Sequence, residues 1–410
     1  MSNGGEEIMD YFANYSYNPV RLKLELLASG IKIDEDVEKH FGKDIKQPKS
    51  IRAGAGGAGI DLILTPDVWA GPQVYESYVK DSPFTLKIQD GSYVIFKDDQ
   101  AICETTPVPE PTFYDQKSSD GTPFGKIGRI QADFIAVAPS EICEFWEKGV
   151  PCKFCAMGSR KHDLPVKTSQ QVIDFVEAAV HHGYDHMILN AGTYSRPGRG
   201  AVEQAEFIKV IKERFGIHVR ISMVPPDERS YVEVLKEAGV DVIGHNLEVW
   251  SPDAQQFVTP GKAKDIGVEH YLKTFEYEVE LFGRSKVVST LIVGLEDPQH
   301  TLAGAEHLAS MGVLPILFVL RPVRGSYYAE SAPPKADTLI EVYKSYKSII
   351  EKYNLDTGCS RCGRLRIDTQ VGGYRYPRGG FLPSIWSQVM VAILNGFQNV
   401  EGTQFIAWRS

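Results

Sequence analysis

The alternation of strand-like and helix-like segments from residue 128 onward is the feature that most constrains the fold of this chain. Amphipathic helix patterns separate short apolar segments, and the unit recurs at intervals of about thirty residues. The six strand-like segments are "RIQADFIAVAP", "DHMILNAG", "IHVRISMV", "DVIGHNLEV", "KVVSTLIVG" and "VLPILFVLRP". Such alternation is typical of parallel βαβ units with right-handed crossovers. We therefore predict an α/β fold built on a partial or complete (β/α) barrel of the TIM type.

The segments before and after this region predict further structural units. "PVRLKLELLASG" predicts a helix that ends at Gly30, and "FTLKIQDGSYVIFKDD" predicts a hairpin that turns at Asp90 and Gly91. The stretch "TTPVPEPTFYDQKSSDGTPFG" is rich in Pro, Ser, Asp and Gly, which is typical of a linker. The predicted domains are an N-terminal α+β extension (1–125), a barrel core (126–335) and a C-terminal extension or cap (336–410).

Composition and charge exclude some classes of function. The formal net charge is −9, whereas general nucleic-acid binders and proteins of anionic membranes usually carry a basic surface. No run approaches the roughly eighteen apolar residues of a membrane span. "MSNGGEEIMDYF" has no basic stretch followed by an apolar one, so it does not resemble a secretory signal. We expect a cytoplasmic protein with no membrane association and no general binding of nucleic acid.

Three of the six cysteines lie close together after the first predicted strand, with the spacing Cys143-x8-Cys152-x2-Cys155. Active sites of α/β barrels lie at the C-terminal ends of the strands, which is where this loop begins. Three thiolates in a short loop can hold three corners of an iron–sulfur cubane, whereas a structural zinc site usually has four protein ligands. The nearest candidate for a fourth ligand is His162. The spacing leaves iron–sulfur and zinc open, and it disfavours a disulfide in a chain without an export signal.

An aromatic residue, Phe154, precedes the last cysteine of this loop. The "CKFC" step after the first barrel strand resembles the radical S-adenosylmethionine (SAM) superfamily, whose usual motif is C-x3-C-x2-C with an aromatic at this position. Here five additional residues separate the first two cysteines, which lengthens the loop and keeps three ligands. The resemblance implies that Cys143, Cys152 and Cys155 ligate a [4Fe–4S] cluster and that Phe154 lies against the bound cofactors.

Segments after later strands resemble SAM-binding motifs of the same superfamily. After the second strand, "LNAGTY" places Ala191, Gly192 and Thr193 at the turn that meets the methionine amino group in that superfamily. After the fourth strand, "HNLE" resembles the H-N-L-[DE] signature of the biotin synthase and lipoyl synthase branch. The resemblance implies that Asn246 and Glu248 bind the ribose and methionine portions of SAM.

The other strands provide less specific matches. "TLIVGLED" resembles the G-x-I-x-G-x-x-E pattern near the adenine through Ile292, Gly294 and Asp297, with Thr290 in place of the first glycine. Further candidate contacts to SAM or substrate are Arg321 after the sixth strand and one of Arg220 and Ser222 on the third.

The resemblance implies an oxygen-sensitive enzyme that uses a [4Fe–4S] cluster and SAM and abstracts hydrogen from a small organic substrate. It also implies a reductant such as flavodoxin or ferredoxin. The residues leave the outcome open among sulfur insertion, rearrangement, lyase chemistry and methylation. Two other classes remain open: a zinc-stabilised α/β scaffold, and an iron–sulfur electron-transfer protein without SAM chemistry.

A second pair of cysteines, Cys359 and Cys362, stands in "GCSRCGR". Together with Cys103, this pair is a candidate for a second iron–sulfur cluster or a structural zinc site. A redox thiol pair, or two ordinary thiols in a loop, explains the same residues.

Overall fold

The structure is a computed structural model, and it describes residues 17–41, 59–159, 164–358 and 361–368. Cys359 and most of the predicted C-terminal extension lie outside these residues, as does His162. Within the described part of the chain, no helix is both long and apolar enough to cross a membrane.

The N-terminal unit contains the predicted helix and the predicted hairpin. Helix α1 (Pro19–Ser29) begins where the Asn18 side chain accepts hydrogen bonds from two backbone N–H groups, and it ends at Gly30 with φ 68°. The hairpin turns at Asp90 and Gly91, both with positive φ. The elements after α1 are β1 (Lys32–Ile33), α2 (Glu35–Phe41), β2 (Leu62–Thr65), β3 (Val68–Ala70), β4 (Phe84–Gln89), β5 (Ser92–Lys97), β6 (Gln100–Glu104) and β7 (Thr106–Pro107). They form two small sheets with the strand orders β1-β4-β5-β6 and β3-β2-β7.

The predicted linker is a packed part of the barrel. Its aromatic residue Phe113 is fully buried, with its ring centroid 5.8 Å from that of Phe175. Phe124 begins the short helix α3 (Phe124–Ile127) and packs edge-on against the same Phe175. The prediction of a linker was wrong because a count of Pro, Ser and Gly ignores the few aromatic side chains that bury apolar surface.

The centre of the molecule is a curled sheet of seven strands with the order β14-β13-β12-β11-β10-β9-β8. Strands β9 to β14 pair in parallel and in chain order, which confirms the predicted α/β fold and gives a partial barrel. The first predicted strand is an antiparallel hairpin of β8 and β9, turning at Ala132 with φ 55°. The strands are β8 (Gly128–Gln131), β9 (Phe134–Val137), β10 (His186–Asn190), β11 (His218–Ser222), β12 (Val242–Gly244), β13 (Val287–Val293) and β14 (Leu314–Val319).

Helices follow the strands and cover the outer face of the sheet. Apolar residues of these helices and of alternate strand positions form the main core cluster. The helices are α4 (Glu144–Glu147), α5 (Ser169–His181), α6 (Ala201–Phe215), α7 (Arg229–Glu237), α8 (Pro252–Val258), α9 (Pro260–Asp265), α10 (Val268–Phe282), α11 (Pro298–Ser310) and α12 (Ala336–Tyr353). Short 3-10 turns cover Ser77–Asp81, Thr112–Asp115, Met157–Ser159, Pro197–Gly200 and Arg361–Gly363.

The segment 361–368 contacts both edges of the open sheet. The Ile367 backbone N–H donates to the carbonyl of Leu317 in β14 (2.8 Å), and the Arg364 guanidinium donates to the side chain of Gln131 in β8 (3.3 Å). The buried Lys23 of α1 donates from Nζ to the carbonyl of Gly363 (2.8 Å). The N-terminal helix and this late segment therefore join across the gap of the barrel, while the boundaries at 125/126 and 335/336 stay predictions.

Candidate active site

A cavity of about 530 Å³ occupies the interior of the partial barrel. Cys143, Cys152 and Cys155 line this cavity, in the loop that follows the C-terminal end of β9. Alternate residues of the strands face the same space because side chains of a strand repeat with period two. His186 and Asn190 at the two ends of β10 both line it, so the cavity spans the length of this strand.

The extra residues between the first two cysteines fold as a short helix. Cys143 precedes α4, and the helix is followed by a turn at Gly149 with φ 72°. The Val150 backbone N–H donates back to the Phe145 carbonyl (2.8 Å), which turns the chain toward Cys152. The unusual spacing therefore inserts one helical turn without removing any cysteine from the cavity.

The second and third cysteines form a tight turn that Lys153 anchors. The Lys153 backbone N–H donates to Val258 O (2.8 Å), and its carbonyl accepts from the Tyr327 N–H (2.9 Å). Its ammonium group lies 3.3 Å from the Phe257 ring centroid and 4.6 Å from that of Tyr327. These contacts hold the turn between Cys152 and Cys155 from both sides.

The thiols of Cys152 and Cys155 are shielded from solvent, and this shielding opposes their ionisation. Burial raises the pKa of Cys152 to about 12, because the interior disfavours a thiolate. Burial also raises the pKa of Cys155, although the Met157 backbone N–H lies 3.4 Å from its sulfur and favours the charged form. A metal or cluster that binds here must therefore displace protons from neutral thiols.

The separation of the three thiols fits a cluster better than a single ion. Thiolates around one tetrahedral zinc ion lie about 3.8 Å apart. Cys143, Cys152 and Cys155 are described residues, and they do not form a group whose ligand atoms all lie within 4.8 Å of one another. Ligands of a cubane bind separate iron atoms, so a wider separation is what a cluster requires.

The turn after β10 packs directly against the cysteine loop. Gly192 approaches so closely that an added Cβ would lie 2.0 Å from the Ile142 carbonyl oxygen. The Thr193 carbonyl accepts a hydrogen bond from the Glu144 backbone N–H (2.8 Å). Ala191, Gly192 and Thr193 all line the cavity beside Cys143, and their contact with SAM stays a prediction.

The H-N-L-E segment after β12 is held by buried polar contacts. His245 is fully buried, with Nδ1 2.9 Å from the Met223 carbonyl oxygen and Nε2 2.7 Å from Glu278 Oε1. Glu248 has a left-handed φ of 73°, which is rare for a non-glycine residue and common at functional sites. Asn246 and Glu248 line the cavity after β12, which is separated from β10 by the single strand β11.

Lys262 is a cavity residue that the sequence analysis missed. Its ammonium group donates to the Asn246 carbonyl (2.9 Å) and to Glu248 Oε1 (3.0 Å). Burial opposes the charge of Lys262, but the Glu248 carboxylate prevails and raises the pKa of the lysine. Nothing in "VTPGK" distinguishes this lysine from a surface lysine, because its partners lie earlier in the chain and meet it only in the fold.

Four of the other candidates lie differently from what the sequence indicated. Arg220 and Ser222 both line the cavity, although we expected only one, because residues two apart share a face of a strand. Among the described residues that line the cavity, Ile292, Gly294 and Arg321 do not occur. Phe154 lines the cavity and also packs with the buried Ile292 in an apolar cluster beside Cys152 and Cys155.

Asp297 is also absent from the cavity wall, and Gly294, Arg321 and Asp297 each have structural surroundings of their own. Gly294 has φ 104°, and an added Cβ would lie 2.4 Å from Pro334. Arg321 is buried near Gly59 and lowers the otherwise raised pKa of Tyr78 through its charge. Asp297 caps α11 by accepting from the Gln299 N–H (2.8 Å).

The later cysteine, Cys362, meets a different set of residues from those predicted. Its sulfur lies beside Asp133 and His186, and the ligand atoms of the three residues lie within 4.8 Å of one another. Cys103 instead pairs with Ile95 between β5 and β6 and packs against the N-terminal core cluster. The structure does not support the predicted grouping, because Cys103 lies in β6 of the N-terminal unit whereas Cys362 lies in the 3-10 turn beside Asp133 and His186; Cys359 lies outside the described residues.

Comparisons with known proteins agree with this architecture. The family model of the Radical SAM superfamily matches residues 143–308, which contain Cys143, Cys152 and Cys155. A bacteriochlorophyllide c C-7(1)-hydroxylase from Chlorobaculum limnaeum is 27% identical over 262 residues, covering 58% of this chain and 65% of that protein. The match thus spans less than two thirds of that relative's length.

Two solved structures are also similar to part of this chain. The FeFe-hydrogenase maturase HydG from Carboxydothermus hydrogenoformans is 18% identical with a TM-score of 0.44, covering 64% of this chain and 65% of the maturase. A radical SAM methyltransferase from Sphaerobacter thermophilus is 15% identical with a TM-score of 0.40, covering 70% of this chain and 82% of the other.

The fold is a partial α/β barrel, and three thiols lie beside the ends of its strands in a segment that matches the radical SAM domain. These features together define an enzyme of the radical SAM class. Residues 143–308 of the chain match the radical SAM domain. Members of this superfamily use a [4Fe–4S] cluster and SAM, and they take electrons from a reductant to act on small molecules.

Proposed function

We propose that this protein holds a [4Fe–4S] cluster through Cys143, Cys152 and Cys155 and uses SAM to abstract hydrogen from a small organic substrate. The observation that carries the proposal is that these thiols and the Asn246–Glu248 loop line one cavity within a radical SAM domain. When bound, the cluster and SAM supply one-electron cleavage of a carbon–sulfur bond, giving methionine and a 5′-deoxyadenosyl radical that becomes 5′-deoxyadenosine on taking hydrogen. A flavodoxin or ferredoxin would supply the electron.

The residues of the cavity divide the binding of SAM among three elements. The Ala191–Thr193 turn would meet the methionine amino group, and Asn246 and Glu248 would hydrogen-bond the ribose and methionine portions. Phe154 and the apolar cluster behind it exclude water from the cluster side of the cavity, which strengthens electrostatic contacts there. Assignment to the biotin synthase and lipoyl synthase branch rests on the H-N-L-E motif.

For the reaction that follows hydrogen abstraction, the support comes from the name of one relative. The name of the bacteriochlorophyllide c hydroxylase describes a reaction at a single carbon position. Hydrogen abstraction from a carbon atom is a fitting first step for such a reaction. Arg220 lies in the middle of β11 and lines the cavity, so we propose that it binds an anionic group of the substrate or of SAM.

The test is anaerobic reconstitution of the full chain, followed by iron and sulfide analysis and incubation with SAM and dithionite. We expect about four irons and four sulfides per chain and the formation of 5′-deoxyadenosine. Each of Cys143→Ala, Cys152→Ala and Cys155→Ala should abolish both results. Cys103→Ala, which removes a half-buried thiol from the N-terminal sheet, is the matched control and should leave both unchanged.

Two results would refute the proposal in different ways. Zinc in place of iron at the three thiols would favour a zinc-stabilised scaffold. An intact cluster with no 5′-deoxyadenosine or methionine formed from SAM would favour an electron-transfer protein.

A further inference from the structure

Three potential metal ligands converge at the N-terminal end of the barrel strands. Asp133 lies in the turn before β9, His186 is the first residue of β10, and Cys362 lies in the segment that crosses the barrel gap. His186 Nε2 lies 2.9 Å from Cys362 Sγ and 3.7 Å from Asp133 Oδ1. Cys362 Sγ lies 3.4 Å from Asp133 Oδ1.

These separations suit three ligands of one ion. Nitrogen, oxygen and sulfur ligands of a tetrahedral zinc ion lie about 3.3–3.8 Å apart when each is bound at its usual distance. Two of the three separations fall in this range, and a small opening of the His186–Cys362 pair brings the third into it. The arrangement contrasts with the wider separation of the three cysteines at the other end of the cavity.

The other ring nitrogen of His186 has the partner that metal-bound histidines usually have. His186 Nδ1 lies 2.6 Å from Asp185 Oδ1, so the carboxylate fixes the proton on Nδ1 and leaves the lone pair of Nε2 facing Cys362 and Asp133. A carboxylate–histidine pair of this kind orients the imidazole and raises its basicity as a ligand.

The local charges also favour a cation. The Asp133 side chain is 5% exposed, and its carboxylate lies 3.4 Å from Cys362 Sγ, so two groups that can carry negative charge lie close together in the interior. Arg364 is paired with Asp61, and Arg366 Nε donates to Asp368 (2.7 Å). A divalent ion would balance Asp133 and Cys362 together.

The group lies on the wall of the same cavity as the three cysteines. His186 and Cys362 both line it, and Asn190 lines it near the cysteine loop. His186 and Asn190 are four residues apart along β10, which corresponds to about 13 Å between the two ends of this strand.

We propose that Asp133, His186 and Cys362 bind one divalent ion of the zinc class and that its fourth coordination position faces the cavity. Mixed nitrogen, sulfur and oxygen ligands suit zinc, and three protein ligands with an open position are typical of zinc sites that bind a substrate or water. The ion would act as a Lewis acid on an oxygen or nitrogen atom of the substrate. Only this last role rests on the proposed function; the metal site does not.

The competing explanation is a thiol nucleophile activated by His186, with Asp185 as the third member. Asp133 distinguishes the two, because a third ligand atom 3.4 Å from the sulfur completes a metal site and has no role in a nucleophile made of Cys362, His186 and Asp185.

The first test measures zinc and iron by mass spectrometry in the full chain purified anaerobically with zinc in the medium. We expect about one zinc per chain, reduced at least tenfold by Asp133→Asn, His186→Gln and Cys362→Ser and unchanged by Cys103→Ser. The triple variant Cys143→Ala/Cys152→Ala/Cys155→Ala should lose its iron and keep its zinc. If zinc disappears with the triple variant, or stays in the three ligand variants, the metal site is refuted.

A second measurement uses the unaltered chain and so does not depend on the folding of a variant. Chelator-treated protein is titrated with Zn²⁺, and the alkylation of Cys362 by iodoacetamide is followed by peptide mass spectrometry. Zinc should slow alkylation of Cys362 at least tenfold and leave Cys103 unaffected. Equal rates with zinc and with chelator would favour the nucleophile instead. Loss of 5′-deoxyadenosine formation with zinc retained would count against the proposed function alone.

Discussion

Lys262 Nζ lies 3.0 Å from Glu248 Oε1, and the side chains are only 13% and 8% exposed. The same ammonium group holds the Asn246 carbonyl, so one lysine fixes both ends of the segment proposed to bind SAM. Because Glu248 has a left-handed backbone conformation, it needs surrounding contacts of this kind to keep it in place.

Breaking this pair is expected to cost stability. Lys262→Met leaves the Glu248 carboxylate and the Asn246 carbonyl without the lysine, and Glu248→Gln leaves the Lys262 ammonium group without its carboxylate. We expect each variant to lose about 3–5 kcal/mol in the free energy of unfolding. Urea denaturation of the anaerobically prepared protein measures this change in the free energy of unfolding. The double variant should lose less than the sum of the two single variants, because it leaves no unpaired buried charge.

The control is Lys352→Met, which removes a surface lysine paired with Glu306 and should not change the midpoint measurably. Strict additivity of Lys262→Met and Glu248→Gln would show that the two groups do not interact.

Gly192→Ala is expected to displace the cysteine loop. The new Cβ would collide with the Ile142 carbonyl at 2.0 Å, and backbone next to Cys143 must move to relieve it. We expect the iron bound after reconstitution to fall at least fivefold, while the circular dichroism spectrum stays that of the unaltered chain. Gly125→Ala is the matched control, since its nearest neighbouring atoms lie at 4.0 Å. Full iron content in Gly192→Ala would contradict the close contact.

Lys23 is expected to make stability depend on pH. Burial lowers its pKa from 10.5 to about 7, although the Asp368 carboxylate opposes the shift. Between these two values the unfolded chain holds a proton that the folded chain has released, so stability from this group rises with pH from about 7 to 10.5. At lower pH both states are protonated, and the cost of burying the charge is fully present.

Lys23→Met should remove this dependence. We expect the difference in unfolding free energy between the unaltered chain and Lys23→Met to change by up to about 1.4 kcal/mol per pH unit above pH 7. Urea denaturation at several pH values measures it, with the exposed Lys273→Met as control. A constant difference from pH 7 to pH 10 would show that Lys23 keeps its proton in the folded protein.

The sequence by itself determined the type of fold and the position of the main site. The period of the apolar residues predicted six parallel strands because a strand buried on both faces needs continuous apolar residues and a crossover helix. The cysteine spacing and "HNLE" predicted which strand ends carry the site, and Cys143, Cys152, Cys155, Asn246 and Glu248 all line one cavity.

Only the tertiary structure decided which distant residues meet. Lys262 reaches Glu248, and Cys362 reaches His186 across 176 positions of the chain, through contacts that leave no local pattern. The aromatic residues of the apparent linker likewise found their partners in the barrel core. Local patterns encode secondary structure because backbone geometry repeats along the chain, whereas pairing of charges and ligands depends on which strand ends the folded barrel brings together.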